Sequence, residues 1–315
     1  MHRLLGAAVL SLVAVPAAGD LRLALPVDCA LGDSCFIQHL VDRDPGPEVQ
    51  DFTCGTLSYD GHKGTDFALP TLNAMHAGVD VLAAAPGVVR GLRDEMPDQI
   101  YAPDDPKVAG RECGNGVVID HGDGWETQYC HLKRGSIRVA PGQQVDTGAV
   151  LGQIGLSGKT QFPHLHLSLR HEGAVVDPFL GDGPCGTADT LWESDLAVPP
   201  GGLIYAGFSP AVPTYDAVKQ GDAAQAALPA DAPALVLFVF AYGGQMGDLL
   251  TLRIDGPHGP VLTEEMVLDK HQAQFFRATG RRARGPWPIG DYTGTVTLTR
   301  DGMQLGQMPT QVTIK

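Results

Sequence analysis

The stretch Gln161-Phe162-Pro163-His164-Leu165-His166-Leu167-Ser168-Leu169-Arg170 alternates after Pro163: His164, His166 and Ser168 fall on one side, Leu165, Leu167 and Leu169 on the other. A period of two marks a β-strand with one apolar face turned to a core. Both imidazoles therefore project from the same side, roughly 7 Å apart along the strand. They can address one small site, one as a metal ligand and its neighbour as an acid-base group. Spacing alone does not say which is which.

Around this strand the chain is punctuated densely, with 40 Gly and 24 Pro among 315 residues and mostly short apolar runs, which predicts a mainly β protein. The length accommodates two domains with ordinary cores. Acidic residues outnumber basic ones by 36 to 22, for a net charge of −14. Nucleic acid and anionic membrane both reward clustered Lys and Arg, so neither is an expected partner. Residues 1–19 read as a secretory signal: His2 and Arg3 precede an apolar core at 4–15, and Pro16-Ala17-Ala18-Gly19 closes it with small residues. That core is too short to span a bilayer comfortably. The mature chain is expected to begin near Asp20, without an integral membrane segment, in the periplasm or outside the cell. An uncleaved anchor and a shifted cleavage point are the alternatives.

Six cysteines follow the signal, and an even number in an exported chain suggests disulfides. Residues 117–120 and 126–131 look like two strands joined through His121-Gly122-Asp123-Gly124-Trp125. Cys113 and Cys130 are then placed to face each other across that hairpin. Cys29 with Cys35 and Cys54 with Cys185 follow only by elimination. A zinc site built on cysteines is the rival, but no Cys-x-x-Cys pair occurs.

Further out, residues 20–52 form an irregular, acidic N-terminal extension expected to wrap the next domain. In Tyr59-Asp60-Gly61-His62-Lys63-Gly64-Thr65-Asp66-Phe67-Ala68-Leu69 the two glycines argue for a tight turn entering a strand, which can still bring His62 and Asp66 to one ion. Residues 79–90 suggest two short strands about Ala85-Pro86-Gly87. Residues 94–111 read as an insertion that walls a substrate groove. On the second hairpin strand, alternation puts Thr127, Tyr129 and His131 on one face and Gln128, Cys130 and Leu132 on the other, turning His131 away from the expected disulfide. Residues 139–155 give short Gly-punctuated strands leading into the His164/His166 strand.

Five short motifs now stand in order: Gly61-His62-x-Gly64-x-Asp66, Gly116-Val117-Val118-Ile119-Asp120-His121-Gly122, Tyr129-Cys130-His131-Leu132, Gly142-Gln143-x-Val145-x-x-Gly148 and Pro163-His164-Leu165-His166. Together they resemble the LytM/lysostaphin-type zinc metallopeptidases, which cut peptide cross-links of bacterial cell walls, over about residues 53–177. The resemblance implies that His62, Asp66 and His166 bind Zn²⁺ and that His131 and His164 are the catalytic histidines. Three N/O ligands leave one tetrahedral position open, the arrangement of a catalytic rather than a structural zinc site. No His-Glu-x-x-His occurs, so a helix-borne Glu base is not available. It further implies a peptidoglycan peptide as substrate, with the D-Ala to diamino-acid bond foremost and a glycyl-glycine bridge as alternative. Two departures stand out, Gln161-Phe162 where the family usually has Thr-Gly, and Ser168 where it commonly has an acidic residue. The alternative function is a non-catalytic or latent wall-binding protein that activates an amidase.

The expected divisions are residues 1–19 signal, 20–52 extension, 53–185 LytM-like domain of barrel-sandwich hybrid type, 186–202 linker and 203–315 immunoglobulin-like β-sandwich. The last rests on seven apolar segments, at 203–208, 235–242, 249–254, 261–268, 274–278, 292–298 and 311–314. Gly290-Asp291-Tyr292-Thr293 resembles the lead-in to a late immunoglobulin strand. With no cysteine or clustered histidine, this half is expected to carry no chemistry, only binding, spacing or stabilisation, and its partner is unknown.

Overall fold

Leu165, Leu167 and Leu169 are each at most 1% exposed, so the alternation read from the sequence does bury one face of a strand. The computed structural model describes residues 21–103, 105–179 and 190–315. The first half comprises β1 (Phe36–His39), β2 (Thr65–Ala68), α1 (Leu72–Ala77), β3 (Asp80–Leu82), β4 (Gly87–Arg93), β5 (Asn115–Gly122), β6 (Trp125–Leu132), β7 (Gln144–Val145), β8 (Val150–Gln153), β9 (His164–His171) and β10 (Ala174–Val176). Its main sheet runs β1-β2-β9-β6-β5-β4-β7, with β10 beside β9, and β3 pairs separately with β8. The His164/His166 strand, β9, thus lies inside the sheet, flanked by β2 and β6 and antiparallel to both. Phe67, Val117, Ile119, Tyr129 and Leu132 meet its leucines in one core.

The extension does more than wrap the sheet. Leu23, Val27, Ile37 and Leu40 belong to the same core, and Phe36–His39 is the edge strand itself. Cys29 pairs with Cys35 and Cys113 with Cys130. Cys54 is disulfide-bonded as well; its expected partner Cys185 and the signal at 1–19 lie outside the described residues. The Cys113 pairing arises differently from a plain hairpin facing. The ladder matches Val117 with Tyr129, which sets Cys130 beside Gly116, while Cys113 lies ahead of β5. A positive φ of 67° at Gly114 folds the chain back, bringing the two Cα atoms to 4.8 Å.

The second half holds β11 (Gly202–Ser209), α2 (Tyr215–Gln220), β12 (Ala227–Leu228), β13 (Ala234–Gly244), β14 (Leu249–Gly256), β15 (Gly259–Val267), β16 (Gln272–Arg282), β17 (Gly290–Arg300) and β18 (Met303–Ile314). A sheet β11-β13-β16 packs on a sheet β12-β18-β17-β14-β15, around Phe208, Leu237, Leu250, Val296 and Val312. Tyr292, at 1% exposure, donates its hydroxyl proton to the Pro288 carbonyl at 3.0 Å. That contact resembles the tyrosine corner of immunoglobulin-like sandwiches. All seven expected segments fall on strands; β12 and α2, closed by Gly221 in the left-handed region, were not foreseen. Among the described residues no helix is long and apolar enough to cross a membrane.

Candidate metal centre

Register decides which side chains meet. Asp66 on β2 stands opposite His166 on β9, His166 opposite Cys130 on β6, and His39 on β1 opposite Asp66. Directly paired residues share a sheet face, so His39, Asp66 and His166 form one polar row, with His164 two residues along β9. His62 joins from the turn before β2. The turn is tight because Gly64 lets the chain pass close to β9: a Cβ there would lie 2.5 Å from the Leu167 carbonyl oxygen and 2.7 Å from the His166 ring.

His131 reaches the row by breaking alternation. On a regular β6 it would share the inward face of Tyr129, opposite His166. Instead its φ is +64°, a conformation that L residues adopt at an energetic cost and that recurs at functional sites. The turn swings its ring onto the histidine face, 4.6 Å from the His164 ring and 6.0 Å from that of His166, centre to centre. The expectation that His131 faces away from the disulfide is therefore corrected: Cys130 and the His131 ring lie on the same face.

The inner contacts are short. Asp66 Oδ1 lies 2.8 Å from His166 Nδ1, 3.2 Å from His62 Nε2 and 3.4 Å from His164 Nε2, and His62 Nε2 is 3.1 Å from His166 Nδ1. A tetrahedral ion with bonds of about 2.05 Å separates its ligand atoms by about 3.3 Å. The triangle His62, Asp66, His166, whose edges are 2.8–3.2 Å, therefore matches the donor set of such an ion. Its ligand atoms all lie within 4.8 Å of one another.

The outer nitrogens fix the inner ones. His62 Nδ1 lies 2.6 Å from the Leu40 carbonyl and His131 Nδ1 2.7 Å from that of Ser157; a carbonyl only accepts, so both Nδ1 atoms carry the proton and both Nε2 lone pairs point inward. His164 Nδ1 donates likewise to the Phe162 carbonyl at 2.9 Å. His166 is reversed. Ser168 donates its hydroxyl to the Lys63 carbonyl at 2.8 Å and accepts from His166 Nε2 at 3.0 Å, which frees Nδ1 for the centre. Ser168 thus orients the His166 ring from outside the centre.

Asp66 is 2% exposed. Burial would raise its carboxyl, but His62, His164 and His166 around it hold it well below the ordinary carboxylate value. Burial, aided by His164 and His166, keeps the His131 imidazole well below its ordinary value, so that it is neutral; burial also lowers His166. For His62 burial acts in the same sense, but the Asp66 carboxylate outweighs it and raises the pKa.

All five residues singled out in the sequence converge. The sequence reading missed His39, whose Nδ1 is 3.1 Å from Asp66 Oδ2. A histidine in a short edge strand, 27 residues before its partner, carries no local signal. Phe162 stacks on His164 with centres 4.4 Å apart, and Gln161 Nε2 donates to the Tyr101 carbonyl at 2.8 Å. The unusual Gln161-Phe162 pair therefore shapes the groove rim and ties it to the 94–111 insertion, whose Tyr101 lines the cavity over the centre.

Residues 60–178 match the family profile described as Peptidase family M23. The chain is 34% identical to the peptidoglycan DD-endopeptidase ShyA of Vibrio cholerae serotype O1 over 127 residues, 40% of this chain and 24% of that one. It is 31% identical to the cell division protein DipM of Caulobacter vibrioides over 122 residues, 38% of this chain and 17% of that one. It thus spans a quarter or less of these curated relatives. Among solved structures, the catalytic domain of a mutant of the prophage-encoded M23 protein EnpA from Enterococcus faecalis is 25% identical, covering 49% of this chain and 96% of that chain with a TM-score of 0.34.

Proposed function

We propose, on the premise that residues 60–178 form an M23 peptidase domain, that this protein is an exported zinc metalloendopeptidase that hydrolyses peptide cross-links of peptidoglycan, the D-Ala to diamino-acid bond foremost. The carrying observation is the convergence of His62, Asp66 and His166 into one triangle of donor atoms with His131 and His164 beside it. His62 Nε2, Asp66 Oδ1 and His166 Nδ1 would hold the ion. When bound, zinc polarises a carbonyl and lowers the pKa of water towards neutrality. Buried and neutral, His131 offers an Nε2 lone pair that can accept a proton, and His164 Nε2 stands beside it to share the transfer and to steady negative charge developing on the scissile carbonyl. Phe162 stacked on His164 limits water at that ring. The disulfides and the apolar stretch at 1–19 support an exported protein working in an oxidising compartment.

The test is mass spectrometry of purified cross-linked muropeptides before and after incubation with zinc-loaded protein. Dimers should convert to monomers, chelator should stop the conversion and added zinc restore it. His166→Ala should lower the rate by about a thousandfold or more. Cross-links left intact by the zinc-loaded parent would refute the proposal.

A further inference from the structure

The second half reaches the centre. A cavity of about 480 Å³ over Asp66, His131 and His164 is closed on its far side by Tyr215 and Lys219 of α2 and Gln274 of β16. That wall is fixed to the catalytic sheet by polar and aromatic contacts. Gln38, fully buried and next to His39, donates from Nε2 to the Ala273 carbonyl at 2.8 Å and accepts from Gln274 Nε2 at 3.1 Å. Asn73 after β2 donates to Asp222 at 2.6 Å and accepts from Gln220 at 2.7 Å. Tyr242 of β13 packs its ring 4.4 Å from that of Phe36 and joins the first core.

The charge of the cavity runs against that of the chain. Apart from Asp66, whose oxygens are engaged by histidines, its charged lining side chains are two cations, Lys159 on the catalytic side and Lys219 on the far wall, in a chain of net charge −14. Lys219 Nζ is 3.0 Å from Asp216, whose side chain is 90% exposed. An ion pair so open to water is weak, so Lys219 can exchange it for a ligand. The Lys219 ammonium also lies 5.0 Å over the Tyr215 ring, which holds it at the cavity edge.

We infer that the C-terminal sandwich is part of the substrate site: Lys219, with Lys159 in the same cavity lining, receives a free carboxylate of the peptide whose scissile bond lies over the histidines. This rests on the peptidase reading of the same centre. It turns the second half from a spacing module into a determinant of specificity for acidic peptides.

The test compares a cross-linked peptide bearing free carboxylates with the same peptide amidated at them, by kcat/KM and by equilibrium binding of a fluorescent derivative to the full-length, metal-free protein. The parent should prefer the free-carboxylate peptide by about tenfold or more, the scale of one charge-assisted hydrogen bond. Lys219→Gln should reduce that preference to within about threefold, and Lys219→Arg should keep most of it. Asp216→Asn, which frees Lys219, should raise it. A thermal midpoint within about 2 °C of the parent shows that Lys219→Gln is folded. Equal handling of both peptides by the parent, or an unchanged preference in Lys219→Gln, overturns the inference. Lys219-dependent binding without cleavage would instead remove the peptidase reading and leave the carboxylate site standing.

Discussion

At the scale of single residues, the centre depends on what fixes each imidazole as much as on the imidazoles. Ser168 spends its donor on the Lys63 carbonyl and so must accept from His166 Nε2. Ser168→Ala removes the acceptor and lets the ring turn or change tautomer. Zinc affinity should fall about 10- to 100-fold, read by competition with a chelating indicator, while Ser168→Asp should keep most of it. An affinity equal to the parent's in Ser168→Ala would show that Ser168 does not orient the ring. His39 acts one step further out, on Asp66 Oδ2, leaving Oδ1 to face the three other histidines.

At the scale of elements, two segments hold the strands in this arrangement. Gly64 sets the gap between the His62 turn and β9, and a Cβ there meets a backbone carbonyl that cannot move aside. Gly64→Ala should destabilise the protein by about 2–4 kcal/mol, seen as a lower urea midpoint; a midpoint within error of the parent's would mean that β9 yields easily. Asp177, just past β10, is 5% exposed, accepts from the Phe179 N–H and lies 3.6 Å from Arg43. Burial pushes its carboxyl up from 3.8 to about 6. Between those values the folded chain retains a proton that the unfolded chain has released, so this group's contribution to stability declines as pH rises through the window, by on the order of 2 kcal/mol. Asp177→Asn, which cannot titrate, should gain on the parent in urea midpoint from pH 4 to pH 6.5. Parallel profiles would contradict this assignment.

At the scale of the molecule, the two cores are joined on the side of the histidine cluster. Tyr242 is 4% exposed, lies on a sandwich strand, and yet packs into the core of the first half. One calorimetric transition is expected for the parent. Tyr242→Ala should lose about 3–5 kcal/mol of packing and split that transition in two. Two transitions in the parent already, unchanged by the substitution, would mean that the halves unfold independently and that the wall of the cavity is not held by the junction.

The sequence determined the β class, the strand that carries His164 and His166 and seven of the eight strands of the second half, while the resemblance of its motifs to a known family pointed to His62, Asp66, His131, His164 and His166 together. Period-two patterns, glycine turns and ordered motifs are local and can be read in place. Which face His131 presents, the part of His39, the offset behind the Cys113 bridge and the lysine facing the histidines from α2 were decided only in three dimensions. A positive φ at a non-glycine residue leaves no trace in an alternation pattern. Pairings such as His39 with Asp66 or Gln38 with Gln274 depend on register and docking between segments far apart in the chain, which hydrophobic periodicity does not encode.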